Sequence, residues 1–136
     1  MYFSPALSRG GSTYVIVEEA QTHTEAIGTC AVRGGHLVVI NSKEEFDVIR
    51  TMLLQYRAGG ATVPGFWVDG TDRFTPNQWF CATLQGVCPW MVWAAGQGET
   101  VGSDCAVVWE TDNHADGLGD IPCTYSTFPV CEFECE

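Results

Sequence analysis

Positive charge is scarce in this chain. Lysine occurs once, at Lys43, and lysine and arginine together number six against 17 aspartates and glutamates in 136 residues, for a formal net charge of -11. The last basic residue is Arg73, so everything from Phe74 to Glu136 carries acidic charge alone. Binding driven by phosphate neutralisation is therefore disfavoured, on nucleic acid and on anionic membranes, and the expected partner is neutral or cationic. No run approaches the ~20 apolar residues of a membrane-spanning helix, and the segment before Gly11 lacks the apolar core of a secretory leader, so a mature soluble form without membrane insertion is expected. Short-spaced cysteine and histidine clusters of the structural zinc type are absent, as are a nucleophile elbow and a zinc-protease motif. There is no internal repeat and no low-complexity segment.

What the chain does have is cysteine, at positions 30, 81, 88, 105, 123, 131 and 135. Outside metal-binding spacings these read as disulfides, which persist in oxidising compartments, so a secreted, extracellular protein is expected. A hydrophobic content of 46% with 12% aromatics is enough for one core, and residues 1–136 read as a single domain.

The first half carries the helical signals. Residues 12–17 are β-branched and aromatic and predict a strand; a helix follows, with Ala26 and Cys30 four apart on one face and Gly34 and Gly35 to stop it. Residues 37–40 predict a short buried strand. Ser42 with Glu45 makes a capping box, and Phe46, Ile49 and Leu53 repeat at helical spacing behind it. From Phe66 onward short apolar pieces alternate with Gly, Pro, Asn and Asp, the pattern of strands and long loops. The fold class is α+β, two helices flanking small antiparallel sheets with a long loop region.

Several segments together resemble the C-type lectin-like domain over nearly the whole chain. Thr24, Glu25, Ala26 and Cys30 are similar to that family's opening helix; Gly34, Gly35, His36, Leu37, Val38 to its glycine-rich turn into a strand; and Phe66, Trp67, Val68, Asp69, Gly70 to its Trp-Ile-Gly-Leu segment. The resemblance implies a long bridge Cys30–Cys131, set in Phe128, Pro129, Val130, Cys131, Glu132, and a short-loop bridge Cys105–Cys123. Cys81 and Cys88 would add a local staple across a turn at Gly86. Cys135 is left over, either a free thiol or an interchain bridge to a second copy or a close homologue.

Family members that bind sugar through calcium carry Gln-Pro-Asp or Glu-Pro-Asn with a cis proline, and a later Trp-Asn-Asp. Here the corresponding segments read Gln97, Gly98, Glu99 and Leu118, Gly119, Asp120. Calcium takes six to eight oxygens. Gln97, Glu99 and Asp120 would be its ligands if it bound, but the proline and the asparagine are gone, and Ser103 stands where the family commonly has Glu. No cofactor is therefore expected, and little or no calcium dependence. The resemblance implies sugar binding at Gln97, Glu99 and Asp120, with Asn113, His114 and Asp116 as further contacts; His23 and His36 are ordinary helix and turn residues. Trp67, Trp93 and Trp109 are expected in the core.

The expectation is a lectin for neutral sugars on glycans or glycoproteins. N-acetylhexosamines such as GlcNAc or GalNAc are preferred, because an acetamido group offers a donor, an acceptor and a methyl. Innate defence is the implied setting. Asp104, Asp112, Asp116, Asp120 and Glu99 could supply the two carboxyls of a glycosidase, but the family binds rather than cleaves, so no enzyme is expected. The alternative function is a domain of this fold that binds protein or ice.

Overall fold

The structure, a computed structural model, describes residues 2–4, 6–58, 65–98, 101–109 and 116–134. Two short strands, β1 (Tyr2–Phe3) and β2 (Leu7–Arg9), pair antiparallel with β3 (Ser12–Glu18), where Tyr14, Val15, Ile16 and Val17 supply β-forming side chains. Helix α1 (His23–Val32) opens on a capping box absent from the sequence reading: the Thr22 hydroxyl accepts the Glu25 N–H at 3.3 Å and the Glu25 carboxylate accepts the Thr22 N–H at 2.9 Å. It closes where Gly34, at φ +87°, turns the chain so that Gly34 and Gly35 donate back to the Ala31 and Cys30 carbonyls at 3.0 Å. A Cβ on Gly35 would stand 2.6 Å from the Glu132 carbonyl oxygen, so this glycine is needed for close passage beside the last strand.

The strand expected over residues 37–40 shortens to β4 (His36–Leu37). Val38, Val39 and Ile40 stay buried but leave the ladder, because the backbone is wedged between two neighbours. The Val38 N–H bonds Val130 at 3.0 Å while its carbonyl takes the Asp69 N–H at 2.9 Å. Helix α2 (Lys43–Ala58) starts as expected, with the Ser42 hydroxyl accepting the Glu45 N–H at 3.1 Å. The second half of that capping box is diverted. The Glu45 carboxylate takes the Asn41 N–H and the Tyr14 phenol, each at 2.7 Å, and so ties α2 to β3. Phe46, Ile49 and Leu53 are fully buried, each contributing about 1.5–3 kcal/mol of apolar burial. No helix among the described residues is long and apolar enough to cross a membrane.

The remaining strands are β5 (Gly65–Thr71), β6 (Phe80–Cys81), β7 (Gly86–Val87), β8 (Cys105–Trp109), β9 (Gly119–Ile121) and β10 (Phe128–Glu134). β10 runs antiparallel to β3 and β4 and parallel to β5, while β5 pairs antiparallel with β6 and β8, and β8 with β9. The sheet is therefore mixed rather than purely antiparallel. Phe128 faces Phe66 in parallel register because the chain between β5 and β10 is long enough for a crossover.

Strand periodicity assigns the central residues to two cores. Phe66, Val68, Ala106, Val108 and Val130 face α2 and its Phe46, whereas Trp67, Cys105, Val107 and Cys131 face α1 through Ala26 and Cys30. Both faces are covered, which is why every residue of β5 is buried. Trp67 is fully buried and donates its indole N–H to the Gln21 carbonyl at 2.6 Å. His23 stands edge-on to it, ring centroids 5.1 Å apart, with Nε2 donating to the Val68 carbonyl at 2.9 Å. Burial pulls the His23 imidazole below the ordinary histidine range, so it is a neutral core residue.

The three bridges Cys30–Cys131, Cys81–Cys88 and Cys105–Cys123 are all formed, closing separations of 101, 7 and 18 residues. Chain-entropy arguments rank them by loop length, from about 4.7 kcal/mol for the longest to about 2 kcal/mol for the shortest. Replacing Cys30 and Cys131 together by alanine is expected to lower the denaturation midpoint more than the same change at Cys105 and Cys123. Urea titrations of the two double variants, compared at equal slope, check the order.

Candidate functional site

Residues 93–98 and β9, far apart in sequence, are brought edge to edge. Trp93 and Leu118 form a parallel bridge, with Leu118 donating to the Val92 carbonyl at 2.8 Å and accepting the Ala94 N–H at 2.9 Å. The approach is close: a Cβ on Gly117 would lie 2.5 Å from the Val92 carbonyl oxygen. A turn closed by the Gln97 N–H on the Ala94 carbonyl, 3.0 Å, then brings Gln97 and Gly98 opposite Asp120.

There the two segments exchange hydrogen bonds. The Gln97 side-chain oxygen accepts the Asp120 backbone N–H at 3.1 Å, and the Asp120 carboxylate accepts the Gly98 N–H at 3.0 Å. Each side chain holds the other's backbone. Asp120 is only 5% exposed, so its carboxylate acts first as a clamp. Gln97 is half-buried at the rim and offers amide N–H donors as well as its oxygen. The Cys105–Cys123 bridge fixes this edge from behind, since β8 and β9 lie between its two ends with Ala106 opposite Asp120.

Two tryptophans explain the glycines in this loop. A Cβ on Gly98 would fall 2.5 Å from the Trp93 indole, and Gly98 sits at φ +94°, where an L side chain is strained. A Cβ on Gly119 would fall 1.6 Å from Trp109 Nε1. The direction in which an asparagine side chain would leave position 119 is filled by an indole. Trp93 is half-buried and packs against Trp79 with centroids 4.6 Å apart; Trp109 is also half-buried. Their role could have been suspected from the sequence, where the family's proline and asparagine positions both hold glycine in a stretch rich in tryptophan.

Among the described residues, Gln97, Gly119 and Asp120 do not by themselves make a calcium site of the family type. Among the described residues Gln97 and Asp120 each already accept a backbone N–H, position 119 has no side-chain oxygen and no room for one, and no peptide bond is cis. Calcium needs six to eight oxygens, which this pair falls far short of supplying.

Of the other expected contacts, Asp116 is exposed in the turn entering β9. Glu99, Asn113 and His114 lie outside the described residues, as do Asp112 and Cys135. Ser103 is half-buried. The Asp104 carbonyl takes the Asp72 N–H at 3.1 Å and the Thr71 hydroxyl at 2.6 Å, and burial, with Asp104 alongside, pushes the Asp72 carboxyl above its usual range.

Comparison with known proteins agrees with this architecture. The family model for the lectin C-type domain matches residues 19–133. C-type lectin domain family 4 member E of mouse is 26% identical over 89% of this chain and 55% of its own length, so the chain spans about half of that curated relative. Among solved structures, human lithostathine superposes with a TM-score of 0.81 at 18% identity, covering 95% of this chain and 88% of its own. The SPL-1–GlcNAc complex gives 0.78 at 17% identity, covering 96% of this chain and 93% of its own. With two helices on opposite faces of a mixed sheet, the long and short bridges in place, and a family match across most of its length, the chain belongs to the C-type lectin domain family.

Proposed function

We propose that this protein is a lectin that binds neutral sugars without calcium, at the rim where Gln97, Gly98 and Asp120 hold two loops together. The family is one of non-catalytic binding domains. The observation that carries the proposal is the reciprocal clamp. It keeps the loop edge shaped by side-chain bonds where a metal would otherwise hold it, and it sets the Gln97 amide at the rim. A polar rim beside the half-buried Trp93 suits a pyranose, whose hydroxyls need donors and acceptors and whose apolar face suits an aromatic ring. N-acetylhexosamines are the proposed ligands, and the likeness to a fold mate solved with GlcNAc fits that choice. In this reading Asp120 positions the loop, Gln97 touches sugar, and Glu99, Asn113, His114 and Asp116 extend the surface.

The setting we propose is extracellular, with a part in innate defence. Three bridges pair six cysteines, leaving Cys135 for a disulfide to a second copy or a close homologue. Two linked sites gain by effective concentration on densely displayed glycans, which compensates for one shallow, weak site.

Three measurements test this reading. On a glycan array and by titration calorimetry, GlcNAc or GalNAc binding is expected to be the same in calcium and in excess chelator, and Gly119→Asn is expected to lower stability without creating a calcium response. Binding that vanishes in chelator and returns with calcium would refute calcium independence. Loss of all glycan signal in both conditions would favour a protein or ice ligand.

Gln97→Ala and Asp120→Ala are both expected to weaken sugar binding. The aspartate change should also cost about 1–3 kcal/mol of stability, because it strips a buried N–H of its acceptor. Parent-like affinity in both variants would move the pocket elsewhere.

Denaturing electrophoresis without reductant is expected to show a band at twice the monomer mass that is lost in Cys135→Ser. Monomer migration rejects the covalent dimer.

A further inference from the structure

We propose that His36, Glu132 and Glu134 form a site for a divalent transition metal of the zinc class on the β4–β10 pair, separate from the sugar rim and independent of it. The ladder builds the site. His36 sits opposite Glu132 in the antiparallel register, and Glu134, two residues along β10, projects to the same side as Glu132. His36 Nε2 lies 2.9 Å from a Glu134 oxygen and 3.9 Å from a Glu132 oxygen, and the three candidate ligand atoms fall within 4.8 Å of one another. Donors on a tetrahedral zinc stand about 3.3 Å apart, so capture asks for shifts of about 1 Å. Glu134, with its side chain 65% exposed, can make them.

The histidine is oriented as a ligand. The Leu37 carbonyl, an acceptor only, lies 2.7 Å from Nδ1, so Nδ1 carries the ring proton and Nε2 turns toward two carboxylates. A lone pair facing carboxylate oxygens is repulsive unless a cation lies between, which is a second ring proton or a metal ion. A backbone carbonyl on the far nitrogen is also the arrangement that fixes metal-binding imidazoles. Glu132 is held in place by the Ser12 hydroxyl at 2.7 Å and the Val39 N–H at 3.3 Å, and its side chain is 5% exposed. The adjoining cleft, about 330 Å³, is lined by Glu45 as well as Glu132 and Glu134, with Arg9 as its basic residue. One imidazole and two carboxylates match zinc, whereas calcium takes six to eight oxygens and no imidazole. The bound ion would cross-link β4 to β10 next to Cys131, whose partner in the ladder is Leu37.

The test uses zinc chloride, titrated calorimetrically into protein free of chelator, both in the parent chain and in Cys135→Ser, which removes the seventh cysteine whether bridged or free. One-to-one binding and a rise in Tm with zinc are expected. Glu134→Gln and His36→Ala are each expected to lose roughly tenfold or more in zinc affinity. The exposed Glu134→Gln change should retain the parent Tm without metal, which keeps the test decisive if His36→Ala folds poorly. Absence of zinc heat and of any Tm shift overturns the site. So does zinc affinity unchanged in both variants, zinc binding that disappears on Cys135→Ser, or calcium displacing zinc at comparable concentration. Sugar binding is not read in any arm, so failure here leaves the lectin reading intact and the reverse also holds.

Discussion

Strand β10 has a neighbour for almost every group it presents. β3 takes the ladder from Val130 to Glu134, β4 takes Cys131 and Glu132, and β5 takes Phe128 and Pro129 in parallel. Because side chains alternate, a one-residue slip of this strand would drive Val130 out of the α2 core and pull Cys131 away from Cys30. The long disulfide and the register therefore enforce each other. From that fixed strand follow the position of β5, the burial of Trp67 beneath α1, and the placement of β8 and β9, on which the loop edge rests.

The edge between Gln97 and Asp120 shows how a loop can be organised by side chains alone. In place of an asparagine at position 119 the chain has a glycine overlaid by Trp109, and in place of a proline at position 98 a glycine overlaid by Trp93. Aromatic surface fills the volume, and the Gln97–Asp120 exchange supplies the directional bonds. Dispersion and side-chain hydrogen bonding, one of the bonds made to the Asp120 carboxylate, hold the two backbone segments together directly.

Local patterns carried much of the fold. The spacing of Phe46, Ile49 and Leu53 placed α2 and its buried face, paired glycines placed the end of α1, and cysteine context pointed to all three bridges. Where the reading fell short, a partner distant in sequence had intervened. Glu45 left its capping box for Tyr14, Val38 divided its backbone between Val130 and Asp69, and β10 took a parallel neighbour. That Gln97 and Asp120 belong to one loop edge could be read from the sequence, but that each would hold the other's backbone could not, because the exchange depends on two segments meeting in space.

By itself the sequence determined the class of the protein: the charge sign that disfavours phosphate partners, the helix and strand periods, the cysteine framework, and the missing proline and asparagine of the calcium motif. These are properties of residue type and short-range spacing, and they survive without coordinates. The tertiary structure alone decided which groups meet. It filled the vacated ligand direction with Trp109, turned Asp120 inward as a clamp, sealed His23 in the core against Trp67, and set His36 across from Glu132 and beside Glu134. Each of those outcomes depends on register and close packing between segments that are not neighbours in sequence, and local propensity carries no information about such contacts.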